Sequence, residues 1–435
     1  MTRTTVPIAS AARIRDMKKQ QTRRDFLKTT TLASATAASF TASSYAQIVG
    51  ANDRINAALI GCGGISESHL RALLGMRQQN NVNILAVCDV YETRARNFQD
   101  QIWTVGGKAQ LVKDYRKILD MKEVDTVSIC TPEHWHARQA LDGLDAGKHV
   151  YCEKPMTHTV EDSLAVADKV KQTGLKLQVD VQGMSDDSYA SAYEAIQAGK
   201  LGPIVAAQID YVRNYPAERG PWRTGVDPNL PKPPDLDWEA WLGPAPKRPW
   251  SAPRYYEWRN YKDYSGGVAT DLFVHRLTRI LKACGLTFPS RVAGMGGIYL
   301  WNDGRELPDN FEMLAEYPAV KSVTPGMTVH ILGTMANGRK IDHLIRGHKA
   351  TLIFTSDGWE IVDEESGEVV ETHKKTGAEN IPLHYRNFHA AIRQGEALNC
   401  PASLGLYGVV AVAGANQSWF ERRLLTWDAA TRKWT

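Results

Sequence analysis

The stretch from Arg54 to Ser66 constrains the fold of this chain more than any other. A short apolar run ends at Ile60, and a glycine-rich loop follows at once: Gly61, Cys62, Gly63, Gly64, Ile65 and Ser66. Apolar residues then recur with helical spacing through Met76. Strand, glycine loop and helix in this order predict a βαβ unit whose backbone can approach a pyrophosphate at a helix N-terminus. Ser66 stands where a third glycine is usual, and its small side chain still permits close helix packing.

The next apolar run, 84–88, ends in Asp89. A carboxylate at this strand end binds both ribose hydroxyls of NAD and repels the extra phosphate of NADP. NAD is therefore favoured, although Arg94 and Arg96 leave NADP possible, and an ordinary turn residue is the alternative interpretation of Asp89. Further strand-like runs at 124–130 and 149–152 alternate with helical patterns, which predicts an α/β fold with a doubly wound parallel sheet.

Ligands of such a sheet bind at the carboxyl ends of its strands. The candidate cofactor contacts therefore follow the last two runs, at Thr131, Pro132, His136, Glu153 and Lys154. His134 and His136 flank a tryptophan, but a third ligand at useful spacing is missing from the sequence, so no metal site is predicted.

Several of these motifs together resemble the family of glucose–fructose oxidoreductase, inositol dehydrogenase and MocA. The resemblance rests on segments spread over most of the chain: 61–66, Asp89, Thr131-Pro132 with His136, 146–150, Glu153-Lys154-Pro155, Gly266-Gly267 with Asp271 and His275, and 347–351. It implies a dinucleotide-binding Rossmann domain over 47–176. It also implies a second α/β domain over 177–435 with a large, open, mostly antiparallel sheet that mediates homo-oligomer formation.

Oxidation of a sugar hydroxyl requires a base for its proton while hydride leaves the carbon. Asp271 and His275 lie four residues apart in a predicted helix over 268–284, so a carboxylate on the same face can orient the imidazole. By the resemblance, His275 is the general base or acid, Asp271 orients it, and Lys154 holds and polarises the reacting oxygen. Considered alone, an Asp-x-x-x-His pair is more often a surface contact on a helix.

The segment 211–264 is rich in aromatic residues and contains ten of the twenty prolines of the chain. Its aromatic rings suit the apolar faces of sugars, and an arm that packs on a neighbouring subunit is an equal alternative. Trp222 and Tyr264 in this segment, together with Gln182 and Asp271, are the candidate substrate contacts.

The first 46 residues predict a twin-arginine signal peptide and hence periplasmic or other export. Arg23-Arg24-Asp25-Phe26-Leu27-Lys28 precedes a mildly apolar stretch and a Ser-x-Ala step at Ala46, and a disordered basic tail is the alternative.

Eight of the 52 basic and two of the 48 acidic residues lie in these first 46 positions, so the rest of the chain is nearly neutral and gives no sign of nucleic-acid binding. No later run is long and apolar enough for membrane insertion after cleavage. Cys284 and Cys400 are the one pair to test for a disulfide.

Three functions remain open on these observations. The first is an NAD(P)-dependent oxidoreductase that acts on a small carbohydrate and retains its cofactor, because an exported protein meets no free NAD pool. The second is an NAD-dependent glycosidase that works by transient oxidation, elimination, hydration and re-reduction. The third, a nucleotide-binding scaffold without activity, explains Lys154, Asp271 and His275 poorly.

Overall fold

A computed structural model describes residues 53–435, and the predicted signal peptide over 1–46 lies outside the described residues. The first sheet has six parallel strands in the order β3-β2-β1-β4-β5-β6. Its strands are β1 (Ile55–Ile60), β2 (Val82–Cys88), β3 (Gln110–Val112), β4 (Thr126–Ile129), β5 (His149–Glu153) and β6 (Leu177–Asp180). The strand order reverses between β1 and β4, which is where ligands of doubly wound sheets bind.

Five helices connect these strands: α1 (Ser66–Gly75), α2 (Glu92–Thr104), α3 (Tyr115–Leu119), α4 (Glu133–Asp145) and α5 (Val160–Thr173). Strand β4 is buried along its whole length, as expected for a strand covered by helices on both faces. Neither α2 nor β3 was predicted from the sequence. Strand β6 belongs to this sheet, so the first sheet extends past the domain boundary placed at residue 176.

The second sheet has ten strands in the order β14-β13-β12-β11-β7-β10-β9-β8-β15-β16, in which only the β7–β10 pair is parallel. The fold class is therefore as predicted. The strands are β7 (Ile204–Val212), β8 (Arg291–Gly297), β9 (Asn310–Tyr317), β10 (Met327–Thr334), β11 (His343–Gly347), β12 (Ala350–Thr355), β13 (Gly358–Asp363), β14 (Val369–Lys374), β15 (Leu425–Asp428) and β16 (Lys433–Trp434).

The second part of the chain contains helices α6 (Ser188–Gln197), α7 (Trp238–Leu242), α8 (Ala252–Tyr256), α9 (Val274–Cys284), α10 (Ile381–Gln394) and α11 (Ala402–Glu421). Of these, α6, α9 and α11 contact strands of the second sheet, whereas α7 and α8 contribute to a separate apolar cluster. Helix α11 contacts both β8 and α5, and α10 returns to the first sheet, where Tyr385 and Phe388 join its core. Helix α11 thus links the second sheet to the helical layer of the first.

The predicted helix over 268–284 is in fact two elements. Val268–Phe273 forms a π-helical turn, and only then does α9 begin at Val274. A π-turn carries one more residue per hydrogen-bonded ring than an α-turn and is common at functional sites.

All six cysteines are buried free thiols, so Cys284 and Cys400, the pair singled out for testing, are not joined by a disulfide. Both residues pack in the apolar core, where a thiol behaves as a small hydrophobe. In the described part of the chain, no helix combines the length and apolar character that crossing a membrane requires.

Three buried histidines make the stability of this fold depend on pH. Burial lowers the pKa of His134 and His389 to about 3 and that of His384 to about 4, from an ordinary value of 6.5. Between pH 6.5 and 4 the unfolded chain therefore binds protons that the folded chain does not, and stability falls as the pH falls. Each group contributes a slope of about 1.4 kcal/mol per pH unit.

We expect the free energy of unfolding, measured with urea, to be markedly lower at pH 5 than at pH 7. His389→Asn should reduce the slope against pH by about 1.4 kcal/mol per unit because it removes one titrating group. Equal unfolding free energies of the unmodified chain at the two pH values would contradict this account.

Candidate active site

The carboxyl ends of β1 and β4 form one wall of a cleft of about 580 Å³. Gly61 follows β1 with a positive φ of 91°, and a Cβ placed there would lie 2.8 Å from the main-chain carbon of Cys130. Only glycine fits this close approach of the two strand ends. A Cβ on Gly64, by contrast, would meet no atom within 4 Å. The loop is therefore tight against β4 and open toward the cleft.

Asp89 fastens the glycine loop to the end of β2. One carboxylate oxygen accepts the main-chain N–H of Cys62 at 2.7 Å, and the other accepts that of Tyr91 at 2.8 Å. Burial raises the pKa of Asp89, and the two N–H donors oppose that rise. The carboxylate lines the cleft beside Arg94, where the sequence placed the ribose contact.

The other predicted cofactor contacts also line this cleft: Gly63, Ile65, Thr131, Pro132, His136, Glu153 and Lys154. Cys62, which was also predicted as a cofactor contact, does not line the cleft. Its side chain is buried, and its main-chain N–H donates to Asp89. The ring nitrogens of His136 lie 2.7 Å from the main-chain oxygens of Thr131 and Pro155. His136 therefore braces the two strand ends against each other.

Lys154 and Asp271 meet at the end of the cleft. The Lys154 ammonium donates to the Asp271 carboxylate and to its main-chain oxygen, each at 2.8 Å, and Arg259 donates to the same carboxylate oxygen at 2.9 Å. The Asp271 side chain is only 7% exposed. Burial alone would raise the pKa of Asp271, but the charges of Lys154 and Arg259 hold it well below its usual range. One carboxylate thus compensates two cations.

The predicted hydrogen bond between Asp271 and His275 is not formed, because the Asp271 carboxylate accepts from Lys154 and Arg259 instead. No hydrogen-bond partner for Nδ1 of His275 lies within residues 53–435. The π-turn alters the offset between the two residues, and two cations compete for the carboxylate more strongly than a neutral imidazole does.

His275 is held in its neutral form. Burial and then the charge of Lys154 lower its pKa well below the ordinary value. A neutral imidazole with an unpartnered nitrogen, beside a lysine, can accept a proton from a hydroxyl group.

A buried polar network lies behind Lys154. Glu153 accepts the main-chain N–H of Lys154 at 3.0 Å, and His69 contacts Glu153 at 2.9 Å and Asp180 at 3.4 Å. Tyr151 donates to Asp180 at 2.5 Å. Burial and the charge of Glu153 raise the pKa of Asp180. This network fixes the end of β5 that carries Lys154, and sequence reasoning missed His69 and Asp180 because they lie 84 and 27 residues from Glu153.

Part of the predicted insertion crosses the cleft as a strap, which we define as residues 235–264. Its first residues pair with the loop after β2, through a bridge between Tyr91 and Leu236 and an N–H from Asp237 to the Val90 oxygen at 2.9 Å. On the opposite wall, the Trp135 indole donates to the main-chain oxygen of Trp241 at 2.8 Å. The strap is therefore anchored on both sides of the cleft.

Aromatic stacking makes the strap a folded unit. Trp238 stacks on Trp241 with 4.9 Å between ring centroids, and Tyr264 packs edge-on against Trp241. Gly243 is required where the strap meets Trp135, because its φ is positive and a Cβ would lie 2.1 Å from the indole ring. The strap thus packs on the cofactor cleft of its own chain, an arrangement that neither sequence-based interpretation anticipated.

The candidate substrate contacts have different surroundings in the structure. Tyr264 is 0% exposed and stabilises the strap, so its assignment as a substrate contact is wrong. Trp222 packs against the large core of the second sheet. Gln182 lies on the 3₁₀ turn after β6, and its side-chain oxygen is buried with no partner among the described residues.

The cleft fits a dinucleotide. The glycine loop is open toward the cleft, the Asp89 carboxylate lies at the end of β2, and the strap adds Tyr255, Tyr256 and Trp258 to the lining. Arg94 lies 5.6 Å and 5.2 Å from the ring centroids of Tyr91 and Tyr255. Sequence reasoning missed these strap residues and Arg259, since nothing local in the sequence shows which wall a long insertion will cover.

Models of one oxidoreductase family match most of the described chain. Residues 55–181 match its NAD-binding Rossmann fold, and residues 199–285 and 246–426 match two models of its C-terminal alpha/beta domain. The NAD expectation agrees with the first of these matches.

Curated relatives align with part of the chain only. A levoglucosan dehydrogenase from Pseudarthrobacter phenanthrenivorans is 34% identical over 118 residues, which are 27% of this chain and 28% of that protein. An inositol 2-dehydrogenase from Salmonella typhimurium is 30% identical over 149 residues, which are 34% of this chain and 43% of that protein. The chain thus aligns with less than half the length of either relative.

Solved structures share the fold over nearly their whole length. A levoglucosan dehydrogenase in complex with NADH and levoglucosan has a TM-score of 0.64 at 19% identity, covering 86% of this chain and 99% of that one. The WlbA dehydrogenase from Bordetella pertussis, in complex with NADH and UDP-GlcNAcA, has a TM-score of 0.61 at 18% identity, covering 86% and 98%.

Proposed function

Since this chain belongs to the family of glucose–fructose oxidoreductase, inositol dehydrogenase and MocA, we propose that it is an NAD-dependent oxidoreductase acting on a sugar hydroxyl. The observation that carries the proposal is Lys154 in the lining of the dinucleotide cleft, together with a buried His275 whose pKa is lowered by burial and by the charge of Lys154 and whose Nδ1 has no partner among the described residues.

We assign each residue at the proposed site a separate role. Asp89 and the glycine loop would hold the ribose and pyrophosphate of NAD, and the bound nicotinamide supplies a hydride acceptor. Lys154 places a positive charge where the reacting oxygen gains negative charge. His275 accepts the hydroxyl proton at a ring nitrogen. Asp271 holds Lys154 in place and, by its charge, compensates it.

We propose further that the cofactor remains bound through the reaction cycle. The strap is anchored on both walls of the cleft, so release of a dinucleotide requires the strap to detach or deform. A twin-arginine signal on residues 1–46 would deliver the folded, loaded protein to the periplasm or another exported location.

A homo-oligomer formed through the open face of the second sheet is part of the proposal. Met295 on β8 is 73% exposed, and Leu314 on β9 and Val205 on β7 are 49% exposed, all on strands of that sheet. Light scattering on the purified chain tests it, and a strictly monomeric protein would refute it.

Retention of the cofactor is also compatible with an NAD-dependent glycosidase, in which the same site oxidises and then re-reduces the sugar. To separate the two, purified protein without added nucleotide is incubated with intact glycosides, and free sugar is counted per protein molecule. We expect no multiple-turnover release, and a change in bound-cofactor absorbance when free sugars are added. Many turnovers of glycoside would establish the glycosidase instead.

Asp89→Ala should weaken NAD binding by about ten- to a hundredfold, because it removes hydrogen bonds to a charged group and frees the glycine loop. Calorimetric titration of nucleotide-free protein gives the affinity. Asp125→Ala is the matched control, since that carboxylate also accepts a main-chain N–H, from Asn56 at 2.8 Å, but precedes β4 at the opposite end of the sheet. Equal NAD affinities in the two variants would remove Asp89 from the cofactor site.

A further inference from the structure

Two arginines share one aromatic ring beside the proposed catalytic histidine. The guanidinium carbon of Arg276 lies 4.9 Å from the ring centroid of Tyr211, and that of Arg213 lies 5.2 Å from it. Arg213 also donates to the Tyr211 hydroxyl at 2.8 Å and to the Tyr215 hydroxyl at 3.1 Å. Arg276 donates through Nε to the main-chain oxygen of Asp210 at 3.1 Å.

Neither guanidinium forms an ion pair with a carboxylate of the described chain. The nearby acids are already engaged. Glu379 pairs with Arg279 at 2.6 Å, while the Asp210 carboxylate accepts the N–H of Ile341 and contacts His343. Burial and then the charge of Arg279 lower the pKa of Arg276. Both cations therefore lie against the Tyr211 ring without an ion-pairing carboxylate among the described residues.

The Tyr211 ring connects these cations to the proposed catalytic histidine. Arg276 follows His275 in the chain, and the rings of Tyr211 and His275 have centroids 6.3 Å apart. An anionic group held by Arg276 and Arg213 at this ring would thus lie near the proposed base.

We propose that Arg213 and Arg276 bind an anionic group of the substrate, so that the site selects acidic sugars, carrying a carboxylate or a phosphate, over neutral ones. That the ligand is a sugar rests on the proposed function, whereas binding of the anion does not depend on it. A guanidinium presents its N–H groups in a planar fork that matches both anions, and such charge-assisted hydrogen bonds are stronger than neutral ones.

The test is equilibrium binding to the NAD-loaded protein, measured by calorimetry with matched pairs of ligands. Glucuronate, galacturonate and glucose 6-phosphate are each compared with the corresponding neutral hexose. The proteins compared are the unmodified chain, Arg276→Met, Arg213→Met and Arg432→Met. Arg432 is the matched control, because its guanidinium forms an exposed ion pair with Asp168.

We expect at least one acidic sugar to bind about tenfold or more tightly than its neutral counterpart. The preference should fall toward unity in Arg276→Met and in Arg213→Met, persist in Arg432→Met, and weaken with added salt. A uronate preference without a phosphate preference would identify a carboxylate, and the converse a phosphate ester.

The inference is overturned if no acidic sugar of the panel binds better than its neutral partner. It is equally overturned if the preference survives both Arg276→Met and Arg213→Met. Because binding is read without turnover, a protein that binds acids selectively but never reduces its NAD would refute the proposed function and leave the anion site standing.

Discussion

His275→Ala is expected to lower the turnover number by about a thousandfold while the purified protein still carries its nucleotide. The imidazole is buried, is neutral because burial and the charge of Lys154 lower its pKa, and has no partner at Nδ1 among the described residues. Removing it takes away the group that we propose receives the hydroxyl proton. The glycine loop, Asp89 and the strap, which we propose hold the nucleotide, are left unchanged.

The measurement pairs steady-state turnover with the nucleotide content of denatured protein. His330→Ala serves as the control, because that histidine lies on β10, contacts Glu312 at 3.0 Å and is 39% exposed. Loss of bound nucleotide together with activity would instead give His275 a structural role. Full activity with nucleotide retained would exclude it as the base.

Asp271→Asn is expected to lower the free energy of unfolding by about 3 kcal/mol, since it leaves Lys154 and Arg259 close together without their shared carboxylate. Removal of one partner from a buried ion pair is costly because a charge then stays buried and unpaired. The double variant Lys154→Met/Asp271→Asn should recover part of the loss because it removes one of the two cations.

Asp303→Asn offers a matched comparison for urea unfolding. Asp303 is also shared by two arginines, at 3.0 Å from Arg223 and 2.7 Å from Arg305, but its side chain is 29% exposed. Solvent screens that group more strongly, so its removal should cost less than removal of Asp271. Equal losses in the two variants, or no recovery in the double variant, would contradict the ion-pair account.

Local patterns predicted much of this fold. The glycine loop between β1 and α1 and the position of Asp89 follow from residues within one βαβ unit, and the structure places them as expected. The family resemblance added the two-sheet architecture. Short elements such as β3 and the edge strand β16 were missed because three or two residues carry little periodic signal.

Features that depend on distant segments could not be predicted from the sequence. Asp271 and His275 have the spacing of a helical pair, but a π-turn and the arrival of Lys154 and Arg259 redirect the carboxylate. The strap has the composition of a sugar-binding loop, yet stacking among Trp238, Trp241 and Tyr264 uses those rings for its own core.

Transfer of hydrogen from sugar to bound nucleotide tests the central claim most directly. The NAD-loaded protein is mixed with sugars deuterated at their carbinol carbons, and the nucleotide recovered after denaturation is analysed by mass spectrometry. The account predicts deuterium in the nucleotide of the unmodified protein and about a thousandfold slower labelling of the nucleotide in His275→Ala. Conversion of a sugar to product with no label ever entering the nucleotide would contradict it.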